Sequence, residues 1–122
     1  MDATQNTSYV AYADFAKLDI RTGAITNVEE VPKSKKLLKL EVDFGASGKR
    51  TIVAGIKSML DRTYGPIYPL MLVGTSVCAV INLEPREMFG IQSHGMILAA
   101  HDNEDRIQLV KCLGVPDGSQ VG

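Results

Sequence analysis

Residues 36–44, KLLKLEVDF, alternate cleanly: Leu38, Leu40, Val42 and Phe44 fall on one side, Lys39, Glu41 and Asp43 on the other. A period of two sets one face of a strand against a core and the other in water. The turn GASG at 45–48 has hairpin length, and RTIVA at 50–54 returns as the partner strand. Upstream, Leu18, Ile20 and Thr22 alternate with Asp19 and Arg21, which predicts a strand running on through Ile25 and Val28 to end near Pro32. Gly23 within it predicts a bend or bulge, as a tightly curved sheet requires. Downstream, Ile56, Met59 and Leu60 recur at helical spacing over 56–63. Pro66 and Pro69 then make 64–69 a rigid connector in which helix is not expected to continue. Residues 75–82 are mostly apolar on both faces, the mark of a central strand. Apolar runs at 96–100 and 107–110 follow, and a turn-rich tail opens at Gly114. Before the first strand, 1–11 reads as a flexible tail, 14–17 as a short helical turn, and Tyr12, Phe15 and Leu18 as an apolar anchor.

The order is strand, strand, strand, helix, strand, strand, with little helix and a glycine in the first strand. That predicts an all-β fold, a five-stranded OB barrel with a short helix between strands 3 and 4. An SH3-like barrel and a small open α+β sheet are the competing architectures. At 122 residues the chain fits one domain, taken as 12–122. Its apolar runs fall far short of the roughly 18 residues that span a bilayer. The N-terminus lacks the apolar stretch of a secretory signal, so the reading is a cytoplasmic chain with no membrane partner. Cys78 and Cys112 sit in apolar strand-like runs and read as reduced thiols. With His94 and His101 apart from them in pattern, no zinc set emerges, and neither metal nor cofactor is expected.

Net charge is −1, which does not mark a general nucleic-acid binder, but the charges are segregated. Lys33, Lys35, Lys36, Lys39, Lys49 and Arg50 crowd residues 33–50 against only Glu41 and Asp43. Acids gather at Glu29, Glu30, Asp102, Glu104 and Asp105. Such a division produces a local positive field on a near-neutral protein. Between the apolar runs at 77–81 and 96–100 lies a polar loop carrying Asn82, Arg86, Gln92, Ser93 and His94. These are hydrogen-bonding groups without a nucleophile–base–acid set, so they fit reading a ligand and not breaking a bond. An enzyme is not expected.

Four stretches carry a resemblance: DFAKLDIRTGAI (14–25), KKLLKLEVDFG (35–45), RTIVAGI (50–56) and NLEPREMFGIQSHGMILAA (82–100). In order, and nearly end to end, they resemble the tRNA-binding domain family. That family includes the C-terminal domain or β subunit of methionyl-tRNA synthetases, bacterial structure-specific tRNA-binding proteins, and the core of endothelial monocyte-activating polypeptide II. The resemblance implies an OB barrel that binds the outer corner of tRNA without catalysis, beside a synthetase or on its own. By position, the family's lysine falls on Lys36, its loop asparagine on Asn82, its arginine on Arg86, and its S-x-G-M group on Ser93, Gly95 and Met96. Lys36 is then expected on a phosphate, Arg86 on a phosphate or as a stacking plane, and Asn82 and Ser93 on a ribose or base edge. Met96 would pack against an unstacked base. Lys33, Lys35, Lys49 and Arg50 complete the expected tRNA-binding set, while Gly90 and Gly95 serve backbone geometry.

One departure stands out. Glu84, Glu87 and Phe89 occupy places where the family carries cations, in a K-P-R-K-M-R type of loop. Losing phosphate contacts there implies weak affinity, or affinity resting on the 33–50 patch. Phe89 would offset part of the loss by stacking on a base, or else contact a protein. The alternative function is therefore a protein-interaction scaffold or cytokine-like module on the same barrel, with weak RNA binding. The expected partners are tRNA, an aminoacyl-tRNA synthetase as a candidate second partner, and a second copy of the chain. That homodimer would form through Tyr9, Val10 and Tyr12 and the tail around Val115 and Val121.

Overall fold

The computed structural model describes residues 8–122, so most of the tail expected at 1–11 lies outside the described residues. A single helical turn, α1 (Tyr12–Phe15), leads into a long strand, β1 (Ile20–Glu30). Then come β2 (Leu38–Asp43), β3 (Lys49–Ala54), α2 (Lys57–Tyr64), a 3-10 turn at Gly65–Ile67, and α3 (Tyr68–Leu72). The chain continues with β4 (Ser76–Val80), β5 (Arg86–Met88), β6 (Ile91–Ser93), β7 (Met96–Ile97), β8 (Ala99–His101), β9 (Ile107–Leu109) and β10 (Gln120–Val121).

The main sheet runs β3-β2-β1-β4-β7, with β10 added on β1, and every pairing is antiparallel. It curls until the free edge of β3 meets the chain between β6 and β7. There the Val53 N–H donates to Ser93 Oγ at 2.9 Å and the His94 N–H donates to the Thr51 carbonyl at 2.8 Å. That strand order, with the helices between β3 and β4, is the expected OB-like barrel. Leu38, Leu40, Val42 and Phe44 are all fully buried, as their alternation demands, and Ile25, Ile52, Leu60, Val77 and Ala79 fill the same core. Each such Leu, Ile or Phe side chain contributes roughly 1.5–3 kcal/mol by leaving water. In β4, Val77, Cys78, Ala79 and Val80 are buried on both faces, as a central strand should be. Cys78 and Cys112 are free thiols packed in a smaller apolar cluster, where burial pushes the Cys78 thiol above its usual range.

Several expectations need correction. The bulge in β1 lies not at Gly23 but between Ile25 and Asn27, where Thr26 is left without a partner on β2. Gly23 serves close approach instead. A Cβ there would sit 2.6 Å from the Phe44 ring and 2.7 Å from Val42 Cγ1. The connector at 64–69 does hold helix, because Pro66 and Pro69 each stand in the first turn of a short helical segment, where a missing N–H costs nothing. Residues 96–100 are not one strand but two short ones, β7 and β8. The tail is partly structural. Thr22 Oγ1 donates to the Pro116 carbonyl at 3.0 Å, the Gly118 N–H donates to the Thr22 carbonyl at 2.7 Å, and Val121 pairs with Ile20. Val121 is thus used within its own barrel. Tyr12, Phe15 and Leu18 do not anchor in the core. Tyr12 is 81% exposed and the other two remain exposed as well.

Candidate nucleic-acid interface

Two walls face each other across the mouth of the barrel. The first is the loop at 31–37. Val31 is buried, Ser34 Oγ accepts the N–H groups of Lys36 (3.3 Å) and Leu37 (3.1 Å), and the Lys36 carbonyl accepts the Lys57 N–H at 3.0 Å. Ser58 Oγ donates to the Lys35 carbonyl at 3.4 Å. The loop is therefore strapped by its backbone to the start of α2, while Lys33, Lys35 and Lys36 point their charges at solvent.

The second wall is the β5–β6 hairpin, which sequence patterning missed inside its loop. Its turn is Phe89-Gly90, with φ of 52° and 80°. Two positive φ values match the twist of a tight hairpin, but Phe holds that conformation at a strain cost on the order of 1 kcal/mol or more. The Phe89 ring is 63% exposed. The available signal was REM and IQS flanking a two-residue Phe-Gly turn.

Three of the expected contact residues position this wall. Ser93, 3% exposed, accepts the Val53 N–H and donates to the Gly95 carbonyl at 3.3 Å. Asn82 Oδ1 accepts the Asp19 N–H at 2.8 Å, and its Nδ2 donates to the Lys17 carbonyl at 2.6 Å. Arg50 donates to the Ile81 carbonyl at 2.6 Å and the His94 carbonyl at 3.5 Å. The polar atoms of Asn82 and Ser93 are committed within the chain, so these two hold the loop instead of presenting the free donor–acceptor pairs expected of them, and Arg50 is tied to the same loop through Nη1. Gly95 (φ 148°) fits the same turn, because a Cβ there would lie 3.0 Å from the Val80 carbonyl. Ser93→Ala would leave the Val53 N–H buried without an acceptor. We expect it to lower unfolding free energy by about 1–3 kcal/mol in urea titration, and an unchanged midpoint would refute this clamp.

Lys49 does not join the site. Asp43 faces Lys49 at one end of the β2–β3 ladder and Leu38 faces Ala54 at the other. That is five residues, or about 17 Å, from the groove end. Lys39 is taken up by Glu29 at 3.7 Å.

What remains is a shallow groove of about 630 Å³ between Lys33, Lys35, Lys36 and the Glu87–Phe89 side of the hairpin. Leu37 and Met88 are shared with a deeper cleft of about 390 Å³, floored by Val53, Met96 and Ile97, with Leu83, Glu84 and Arg86 also lining it. Met96 is half exposed and lines this cleft. Among the described residues, Lys17, Arg21, Lys39, Lys57, Arg62 and Arg106 each have a carboxylate partner, whereas Lys33, Lys35, Lys36 and Arg86 here, and Lys49, Arg50 and Lys111 elsewhere, have none. Three of these cations line the groove and Arg86 lines the adjoining cleft, which together give this side of the barrel a local positive field.

Residues 20–122 match the family model described as a putative tRNA binding domain. A methionine–tRNA ligase of Porphyromonas gingivalis (strain W83) is 45% identical over 113 residues, 92% of this chain and 15% of that protein. One from Methanosarcina mazei is 48% identical over 93 residues, 76% of this chain and 12% of that protein. The chain therefore spans only a small part of these ligases. Among solved structures, a MetRS related protein from Pyrococcus horikoshii superposes with a TM-score of 0.83 at 32% identity, covering 95% of this chain and 100% of that one. A chaperone CsaA from Bacillus anthracis gives 0.78 at 27%, covering 94% and 100%. The matched span holds both walls of the groove, and the chain belongs to the putative tRNA binding domain family.

Proposed function

We propose that this domain binds tRNA along the lysine-lined groove, without a covalent step, and so serves a methionyl-tRNA synthetase as an appended domain, β subunit or separate cofactor in the cytoplasm. The observation that carries it is the meeting of Lys33, Lys35 and Lys36 on one groove with Arg86 in the cleft that adjoins it, each without an acidic partner among the described residues, in a domain of this family. Folded RNA is held chiefly through its sugar–phosphate contour, and flexible cations on two walls suit that contour. Asn82, Ser93 and Arg50 set the hairpin in place, and Phe89 and Met96 add apolar contact. Among the described residues no helix is long and apolar enough to cross a membrane.

A salt titration of tRNA binding tests this. Four phosphate contacts give a log–log slope near −3, with binding measurable at about 50 mM salt. No binding at that salt would sink the proposal.

A second copy is the protein partner we favour. Tyr9, Val10 and Tyr12, with Leu113 and Val115, expose large apolar side chains from both ends of the chain, and burying them against a copy removes that surface from water. A dimer would bring two grooves to one RNA and raise effective concentration. Light scattering at micromolar concentration should give the mass of two chains; the mass of one chain would contradict the dimer.

A further inference from the structure

The cleft beside the groove has a chemistry that phosphate binding leaves unused. Its walls are apolar, from Leu37, Val53, Met88, Met96 and Ile97, and its volume of about 390 Å³ stands at the small end of ligand sites. It opens next to the lysine groove through the shared Leu37 and Met88, so a strand lying on the lysines passes its mouth. Flat apolar walls of this size suit a single nucleobase turned out of its stack, the way enclosed sites hold flipped bases. Phe89, exposed at the hairpin tip and lining the adjoining groove, is an aromatic surface on which the neighbouring base would stack.

Glu84 lines the same cleft and has no hydrogen bond or ion pair among the described residues. A carboxylate accepts only, with two oxygens side by side. Of the four RNA bases, guanine alone presents two adjacent N–H donors on one edge, its ring N1–H and its exocyclic amino group. Adenine and cytosine offer a single amino group there, and uracil a single ring N–H. A negative group also repels phosphate, so it is better placed on a base than on the backbone. Arg86 lines the same cleft and supplies a cation for the phosphate of the same nucleotide.

We propose that the cleft captures one unstacked guanine of the bound RNA, with Glu84 accepting from its N1–H and amino group. This rests on the RNA-binding reading above and adds base selection to it.

The test uses single-stranded RNA pentamers differing only in the central base, G, inosine or A, in fluorescence anisotropy at about 50 mM salt. The intact protein should bind the G pentamer about tenfold tighter than the A pentamer, with inosine between, since a bidentate base contact supports that discrimination. Glu84→Ala should remove the preference while leaving the salt slope for tRNA unchanged or slightly steeper, and because Glu84 is exposed, folding should be unaffected. Equal binding of the three pentamers by the intact protein, or a preference that survives in Glu84→Ala, overturns the guanine site even if tRNA still binds. Absence of tRNA binding altogether overturns the functional reading first and the guanine site with it.

Discussion

Gly23→Val should lower the stability of this domain by about 3 kcal/mol or more, because the side chain is added at a buried position of β1. The added carbons would enter space held by Phe44 and Val42, both fully buried and closer than 2.8 Å to the first of them. Neither neighbour has room to yield, since each packs against the rest of one core. Gly23 is not among the residues with positive φ, so the penalty comes from crowding and not from forbidden backbone. Against a total of about 5–15 kcal/mol for a domain, such a loss shifts the urea midpoint by about 1–2 M. A midpoint within error of the parent would show that β1 and β2 do not approach as described.

Replacing Lys33, Lys35 and Lys36 together with Ala should weaken tRNA binding by about two to three orders of magnitude at 50 mM salt and flatten the salt slope by about two to three. All three lie on one loop whose backbone is tied to α2 by groups that the substitutions keep, so the loop should hold its shape. Lys49→Ala, compared with Lys36→Ala as an equal change of one charge, should do far less, because it alters net charge at the remote end of the β2–β3 ladder. Similar losses from both would mean that bulk charge, and not this groove, attracts the RNA.

That contrast marks where linear reading and folded geometry part. The run of cations from Lys33 to Arg50 looks like one patch in sequence, yet the hairpin between them carries its two ends apart. Lys33, Lys35 and Lys36 stay on the groove, Lys39 turns to Glu29, Arg50 turns to backbone carbonyls, and Lys49 leaves. Motif matching had a similar limit. It assigned Asn82 and Ser93 to a ribose or base edge, but a motif does not say whether a side chain points out to a ligand or in to a backbone group. Here both point in, closing gaps that join residues 63 and 40 positions apart. The β5–β6 hairpin escaped notice because each strand has three residues and little burial, too few positions for a period to declare itself.

Local pattern alone determined the long strands β1 to β4, which of their faces are buried, and the helix between the third and fourth strands, and hence the barrel. Those features follow from short-range periodicity and turn chemistry, which the chain carries in its own order. The tertiary structure decided which charged groups remain free, which conserve their hydrogen bonds for the scaffold, and that an acidic Glu84 shares a cleft with apolar walls from three distant segments. Such facts depend on residues far apart along the chain meeting in space, and neighbouring residues hold no record of them.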